Sequence, residues 1–157
     1  MVLTEQQEMI RDMARKFARE RLLPNAARWD REGHFPREEL AAMGQLGLLG
    51  MNVPVEWGGA GADNVSTALA LEEIAAGDAA TATVMSGHNA VGCMPITRFG
   101  SDEQKERFLR PMATGQMLSA FALTEAHGGS DAGALTTQAR RDGDGYMLNG
   151  TKQFVTT

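Results

Sequence analysis

Apolar residues recur at helical spacing through the first two-thirds of the chain and then change to alternation. Met9, Ile10, Met13, Ala14 and Phe17 define one stripe, which predicts an amphipathic helix. Thr4 and Gln7 stand before it at capping-box spacing. Pro24 marks an interruption, with a short helix expected over residues 25–31. Gly33 and Pro36 punctuate the next gap. Pro36 suits the first turn of a helix through REELAAMGQLGLL, with Gly50 near its end. Residues 51–64, MNVPVEWGGAGADN, read as a loop by composition. Residues 66–76 predict a helix with Leu71, Ile74 and Ala75 on one face. Residues 79–91 predict another, although threonines and a glycine make it a weaker helix former. SDEQKERFLRPM, from Ser101, carries a second capping-box pair, Ser101 and Gln104. Acidic Asp102 and Glu103 suit its start, and Arg107 and Arg110 its end.

The period changes after Gly115. MLSAFAL alternates and predicts a strand, and LTTQARRDGDGYMLNGTKQFVTT predicts further strands. Asp142-Gly143 or Asp144-Gly145 supplies one turn and Asn149-Gly150 another. Helices first and strands after is an α+β order rather than βαβ alternation. The expected organisation is a helical domain over 1–115 and the beginning of an antiparallel β-domain over 116–157. Phe154, Val155, Thr156 and Thr157 still follow a strand pattern. Two or three strands alone leave an open edge and an uncovered face, so the chain is expected to be a portion of a longer protein.

Composition adds exclusions. The chain has 157 residues, 43% of them hydrophobic and 22% charged, which is ordinary for a globular protein. No long uncharged apolar run occurs, so no membrane span is expected. A net charge of −5 argues against a nucleic-acid partner, because neutralising phosphates takes clustered Lys and Arg. Cys93 is the only cysteine. It rules out an internal disulfide and, lying in the apolar GCMPI, reads as a buried inert thiol. His34 and His88 lack partners at ligand spacing, so no metal site is expected. His88 reads as a packed helix residue, and Glu72 with Glu73 as a structural or interface pair. The EWGGAG loop lacks the strand–turn–helix context and the lysine of a phosphate-binding loop. The N-terminus has neither the apolar core of a secretory signal nor the basic character of a transit peptide, which makes a cytoplasmic location the expectation.

Two segments carry candidate chemistry. TEAHGGSD, residues 124–131, follows a predicted strand. Its glycines allow close approach of a flat ligand, and Thr124 and Ser130 supply hydroxyls. Exposed backbone N–H groups in such a turn can meet ring carbonyl and nitrogen acceptors. Alone, the segment reads as a polar turn, since Gly, Ser and Asp dominate turns. In KQFVT, residues 152–156, alternation puts Phe154 and Thr156 on one side, where an aromatic could cover a planar cofactor. Alone, that is an aromatic packing across a sheet.

Four segments in order give the chain a wider resemblance. PVEWGGAG at 54–61, EQKERFLRPMATG at 103–115, LTEAHGGSD at 123–131 and GTKQFVT at 150–156 resemble, in sequence and spacing, the motifs of the acyl-CoA dehydrogenase family. The resemblance implies that Phe121, Leu123 and Thr124 contact a flavin ring, that Phe154 lies beside the ring where the family usually has Trp, and that Thr156 supplies a hydroxyl near the reactive nitrogen. Gly129 and Ser130 match positions near the flavin or the phosphopantetheine arm of the CoA thioester, so Ser130 is also a substrate-binding candidate. Ala126 and His127 depart from the family's usual Pro and small residue, and His127 is read as a solvent-facing loop residue.

The resemblance further implies FAD as cofactor, acyl-CoA as substrate, electron-transfer flavoprotein as partner, a homotetrameric or homodimeric parent, and a role in fatty-acid metabolism. The family's Glu base lies in a C-terminal four-helix domain, so no catalytic residue is assigned within these residues and the chain alone is expected to be inactive. An acyl-CoA oxidase or flavin monooxygenase of the same fold would share this region and differ in the reaction of reduced flavin with oxygen. A non-catalytic helical interaction module would stay colourless with added FAD.

Overall fold

The computed structural model describes residues 2–156. Contacts divide the chain into two units, residues 1–119 and 120–157.

The first unit is helical. Helix α1, Glu5–Phe17, opens on the Thr4/Gln7 capping box, with both reciprocal hydrogen bonds present. Pro24 does not break the chain direction. The helix loosens into a π-helical turn, Ala18–Leu22, and resumes as α2, Leu23–Glu32, with Pro24 in its first turn, so the hydrogen-bond ladder widens where the proline supplies no N–H. Gly33, at φ +61°, ends it in the left-handed conformation. Helix α3, Arg37–Gln45, stops short of the predicted end, and turns carry the chain through Gly50. Helices α4, Asn64–Gly77, and α5, Ala79–Gly87, are capped by Asp63 and Asp78. The helix expected over 79–91 runs further, through a π-helical segment, His88–Cys93, into α6, Met94–Phe99. Helix α7, Asp102–Gln104, opens on the Ser101/Gln104 capping box and continues through a π-helical stretch, Lys105–Leu109, into α8, Arg110–Ala113.

The core gathers Ala14, Phe17, Leu22, Trp29, Leu40, Met43, Leu49, Ile74 and Met85. Two stripe predictions shift at their margins: Met9 is 60% exposed, and Ala75 is exposed while Ile74 is buried. Arg15 makes a two-point ion pair with Glu73, joining α1 to α4, and Glu72 stays exposed. The glycine-rich loop contains a short 3-10 turn, Val55–Trp57, and folds back on itself. Ala60 N–H donates to Gly50 O (2.9 Å) and Gly61 N–H to Val53 O (2.9 Å). Trp57 lies beside Lys105 and Arg110, so this motif packs against the helix that follows Ser101. No helix among the described residues is long and apolar enough to cross a membrane.

The second unit holds one antiparallel hairpin, β1, Gln138–Asp142, and β2, Gly145–Asn149, in the register Gln138↔Asn149 to Asp142↔Gly145. The turn is Gly143-Asp144, between the two predicted alternatives, with Gly143 at φ +57°. Helices first and an antiparallel pair after is the α+β order expected. Two strand predictions fail. Residues 117–123 form no strand, and neither do residues 150–156. Alternation reports a surface that would suit a sheet face, but a strand also needs a neighbour's N–H and C=O groups, and the described residues offer neither segment a ladder. Thr157 lies outside the described residues.

Candidate functional site

The candidate site lies within the second unit, where residues 121–131 meet residues 150–156. After residues 121–124, Glu125 and Gly128 close a tight turn: Glu125 N–H donates to Gly128 O (2.8 Å) and Gly128 N–H to Glu125 O (3.2 Å). Asp131 caps the next turn, Ala132–Ala134, through Gly133 N–H (3.2 Å). The later segment joins the first by Gln153 N–H donating to Thr124 O (2.8 Å).

Beneath these contacts sits Glu125, 4% exposed in a unit whose hairpin is exposed throughout. One carboxylate oxygen accepts from Thr137 N–H (2.9 Å) and Lys152 Nζ (2.9 Å). The other accepts from Thr136 N–H and Thr136 Oγ1, each at 2.8 Å. Lys152 Nζ donates again to Leu123 O (2.8 Å). The lysine first, then the Thr136 and Thr137 donors, hold the carboxyl far below its ordinary 4.5. A carboxylate so fully supplied with donors is a poor proton acceptor, so its chemistry is structural. Sequence reasoning missed this pair. The available signal was a lysine two residues before Phe154 and a glutamate beside candidate ligand residues.

Leu123 and Thr124 are half-buried and lie against Lys152 and Gln153 through the bonds just described. Gly129 faces Thr124, and a Cβ there would stand 3.3 Å from both Thr124 Cγ2 and Oγ1. Phe121 is 48% exposed and Phe154 89%. Phe154 is the only non-glycine residue at positive φ among the described residues, at +53°. That departure from strand geometry removes the basis for placing Phe154 and Thr156 on one side by alternation. Ser130 and Thr156 are exposed, and neither joins a hydrogen bond among the described residues. His127, half-exposed, bonds Ala134 O (3.0 Å) and stands 3.5 Å from Glu125.

The groups present are of the kinds a planar ligand bearing ring carbonyls and nitrogens would need. The backbone N–H groups of Leu123 and Thr124 and the Thr124 hydroxyl meet no acceptor among the described residues. Two aromatic rings, Phe121 and Phe154, stand open. N–H and hydroxyl donors suit ring acceptors, and open aromatic faces suit a planar body.

In the helical unit, buried His88 bonds Met112 O through Nε2 (3.0 Å), and its Nδ1 accepts from Ser119 N–H (3.2 Å). Those partners fix the proton on Nε2, and burial lowers its affinity for a second proton. Cys93 is buried, its thiol pushed up to about 12 by desolvation, as befits an inert thiol. Among the described residues no group of three His, Cys, Asp or Glu is placed to hold a metal ion.

Two family models match the chain. The acyl-CoA dehydrogenase N-terminal domain matches residues 4–116, and the acyl-CoA dehydrogenase middle domain matches residues 120–157. The short-chain specific acyl-CoA dehydrogenase, mitochondrial, of Rattus norvegicus is 46% identical over 154 residues, covering 98% of this chain and 37% of the relative. Among solved structures, one of the electron transferring flavoprotein of Acidaminococcus fermentans matches with a TM-score of 0.94 and 41% identity, over 99% of this chain and 41% of that one. An acyl-CoA dehydrogenase complexed with FAD from Bacillus anthracis matches with a TM-score of 0.87 and 38% identity, over 98% of this chain and 27% of that one. The chain thus spans well under half the length of each.

Proposed function

The chain belongs to the acyl-CoA dehydrogenase family, and from that premise we propose that it is the N-terminal helical domain and the opening of the β-domain of an FAD-dependent acyl-CoA dehydrogenase, an oxidoreductase of fatty-acid metabolism. The observation that carries the flavin part is the junction of Leu123–Thr124 with Lys152–Phe154 through the Gln153 N–H to Thr124 O bond (2.8 Å). It joins the two segments in which the family resemblance places flavin contacts.

FAD, when bound, accepts the β-hydrogen of an acyl-CoA thioester as hydride. This chain's residues bind and orient. Leu123 and Thr124 offer backbone N–H groups, and Thr124 a hydroxyl, to acceptors on the ring edge. Phe154 and Phe121 offer aromatic faces that exclude water from it, Gly129 keeps the approach to Thr124 clear, and Thr156 supplies a further hydroxyl. Ser130, exposed at the turn, is the substrate-side hydroxyl for the pantetheine arm. Glu125, ionised and supplied with donors on both oxygens, does not take the α-proton. The base belongs to a C-terminal helical domain outside these residues, and the chain alone is inactive. The whole protein's redox partner would be an electron-transfer flavoprotein, and the whole protein is a cytoplasmic homodimer or homotetramer.

The test is a full-length protein carrying this chain, purified beside the isolated chain. The full-length protein is expected to hold FAD and to reduce an artificial acceptor when acyl-CoA is added. Thr124→Ala, which removes one donor, is expected to weaken FAD binding up to about tenfold. A full-length protein that binds no flavin would sink the proposal. Turnover by the isolated chain would overturn the placement of the base.

A further inference from the structure

We propose that Glu125 and Lys152 are positioning residues for the flavin site, a buried ionic clamp that sets the register between its two ligand-bearing segments without touching the cofactor. This rests on the flavin reading above and goes beyond it by naming what holds the site in shape.

The clamp ties three pieces of backbone. Lys152 Nζ bonds Glu125 Oε1 and Leu123 O at 2.9 and 2.8 Å. Glu125 in turn gathers Thr136 and Thr137 through three bonds of 2.8 to 2.9 Å. Leu123 and Thr124 are flavin-contact candidates, and Lys152 is two residues from Phe154. Both carboxylate oxygens of Glu125 are taken by protein donors and the residue is buried, and Lys152 Nζ uses two of its donors on Glu125 and Leu123, so the pair acts on the site through backbone.

The second unit offers little else to define this register. All residues of β1 and β2 are exposed, and a strand without a buried face is weakly specified in register. A buried ion pair adds little net stability, because desolvation offsets attraction, but removing one partner leaves an uncompensated charge. Its most useful property is that it accepts one geometry and penalises the neighbours. The clamp also adjoins strain. Phe154 at φ +53° occupies a region costly for a bulky residue, which persists only if the flanking backbone is held. Lys152 and Gln153 hold it on one side.

In the full-length flavoprotein, Lys152→Gln and Glu125→Gln are expected to weaken FAD binding by at least about tenfold. Both should change the resolution of the flavin's visible band at saturating FAD and shift its reduction potential, readouts that simple loss of stability does not move. Leu40→Ala, a destabilising change in the helical core, is the control, and its flavin spectrum is expected to match that of the unsubstituted protein. Should the charge-removing variants not fold, Glu125→Asp keeps the charge and withdraws it by one methylene, and is expected to fold with the same spectral change. Unsubstituted protein that holds flavin, with spectrum and potential unchanged in Glu125→Asp and in any folded Gln variant, overturns the clamp alone. Unsubstituted protein that holds no flavin overturns the flavin reading and the clamp with it.

Discussion

Phe154 pairs strain with exposure. A phenylalanine at φ +53° costs about 1–2 kcal/mol relative to an allowed conformation, and at 89% exposure the ring recovers little by burial. Glycine adopts this φ freely but adds chain entropy to the unfolded state. Phe154→Gly is therefore expected to raise the stability of the second unit by up to about 1 kcal/mol, while Phe154→Ala, which keeps the Cβ, gains nothing. Urea unfolding followed at the hairpin amides checks this, and equal stability of the two variants would refute it. In the flavoprotein the same Phe154→Gly change should weaken FAD binding, so stability and binding move oppositely, as at sites that hold strain for function. The aromatic was legible in the sequence because its type and spacing are local. Its backbone angle was not: φ +53° breaks the alternation that local spacing suggested, beside a Lys152 that reaches 27 positions back to Glu125, a contact no local pattern encodes.

At the level of elements, the helix caps and the β1–β2 hairpin were legible and the two flanking strands were not, for one physical reason. A capping box is closed by residues three apart, and Thr4/Gln7 and Ser101/Gln104 both form as read. A strand is completed by a partner elsewhere, and residues 117–123 have none among those described. Helix packing was hidden too, and glycines show it. Gly44, in α3, meets the turn after α8 backbone to backbone: a Cβ there would lie 2.5 Å from Gly115 Cα and 2.6 Å from Thr114 O. Gly87, ending α5, has nothing within 4 Å of its virtual Cβ. The same substitution should thus act with opposite sign. Gly44→Ala forces two backbones apart and is expected to destabilise by about 1–3 kcal/mol. Gly87→Ala gains helix propensity and is expected to stabilise by about 0.5–1 kcal/mol. Thermal melts of the two variants against the unsubstituted chain decide it, and shifts of the same sign would refute the packing argument.

On the scale of the whole molecule, the two units carry different buried titratable groups, and acid should find them in turn. His88 is neutral in the folded helical unit, with Nδ1 accepting from Ser119 N–H. A second proton would set two donors against each other. Burial depresses its affinity for that proton below the ordinary 6.5, so the unfolded chain binds more protons there. Its contribution is fully present above about pH 6.5 and is lost as pH falls from there toward the folded value. Glu125 is depressed as well, but it is a carboxylate stabilised in its charged form. Its contribution to the second unit is present above the ordinary 4.5 and is lost only as pH falls below it. Hydrogen exchange resolved by segment should therefore show the helical core loosening first, as the pH falls below about 6.5, with the amides of Thr136, Thr137 and Gln153 holding until the pH drops below the ordinary 4.5 of Glu125. His88→Gln is expected to flatten the first window and leave the second. Glu125→Gln is expected to do the reverse, loosening the Thr136 and Thr137 amides that the carboxylate accepts from already at neutral pH. A single transition, with all segments loosening at one pH in both variants, would mean that neither group governs its unit, and would leave the depressed proton affinities of His88 and Glu125 without consequence for stability.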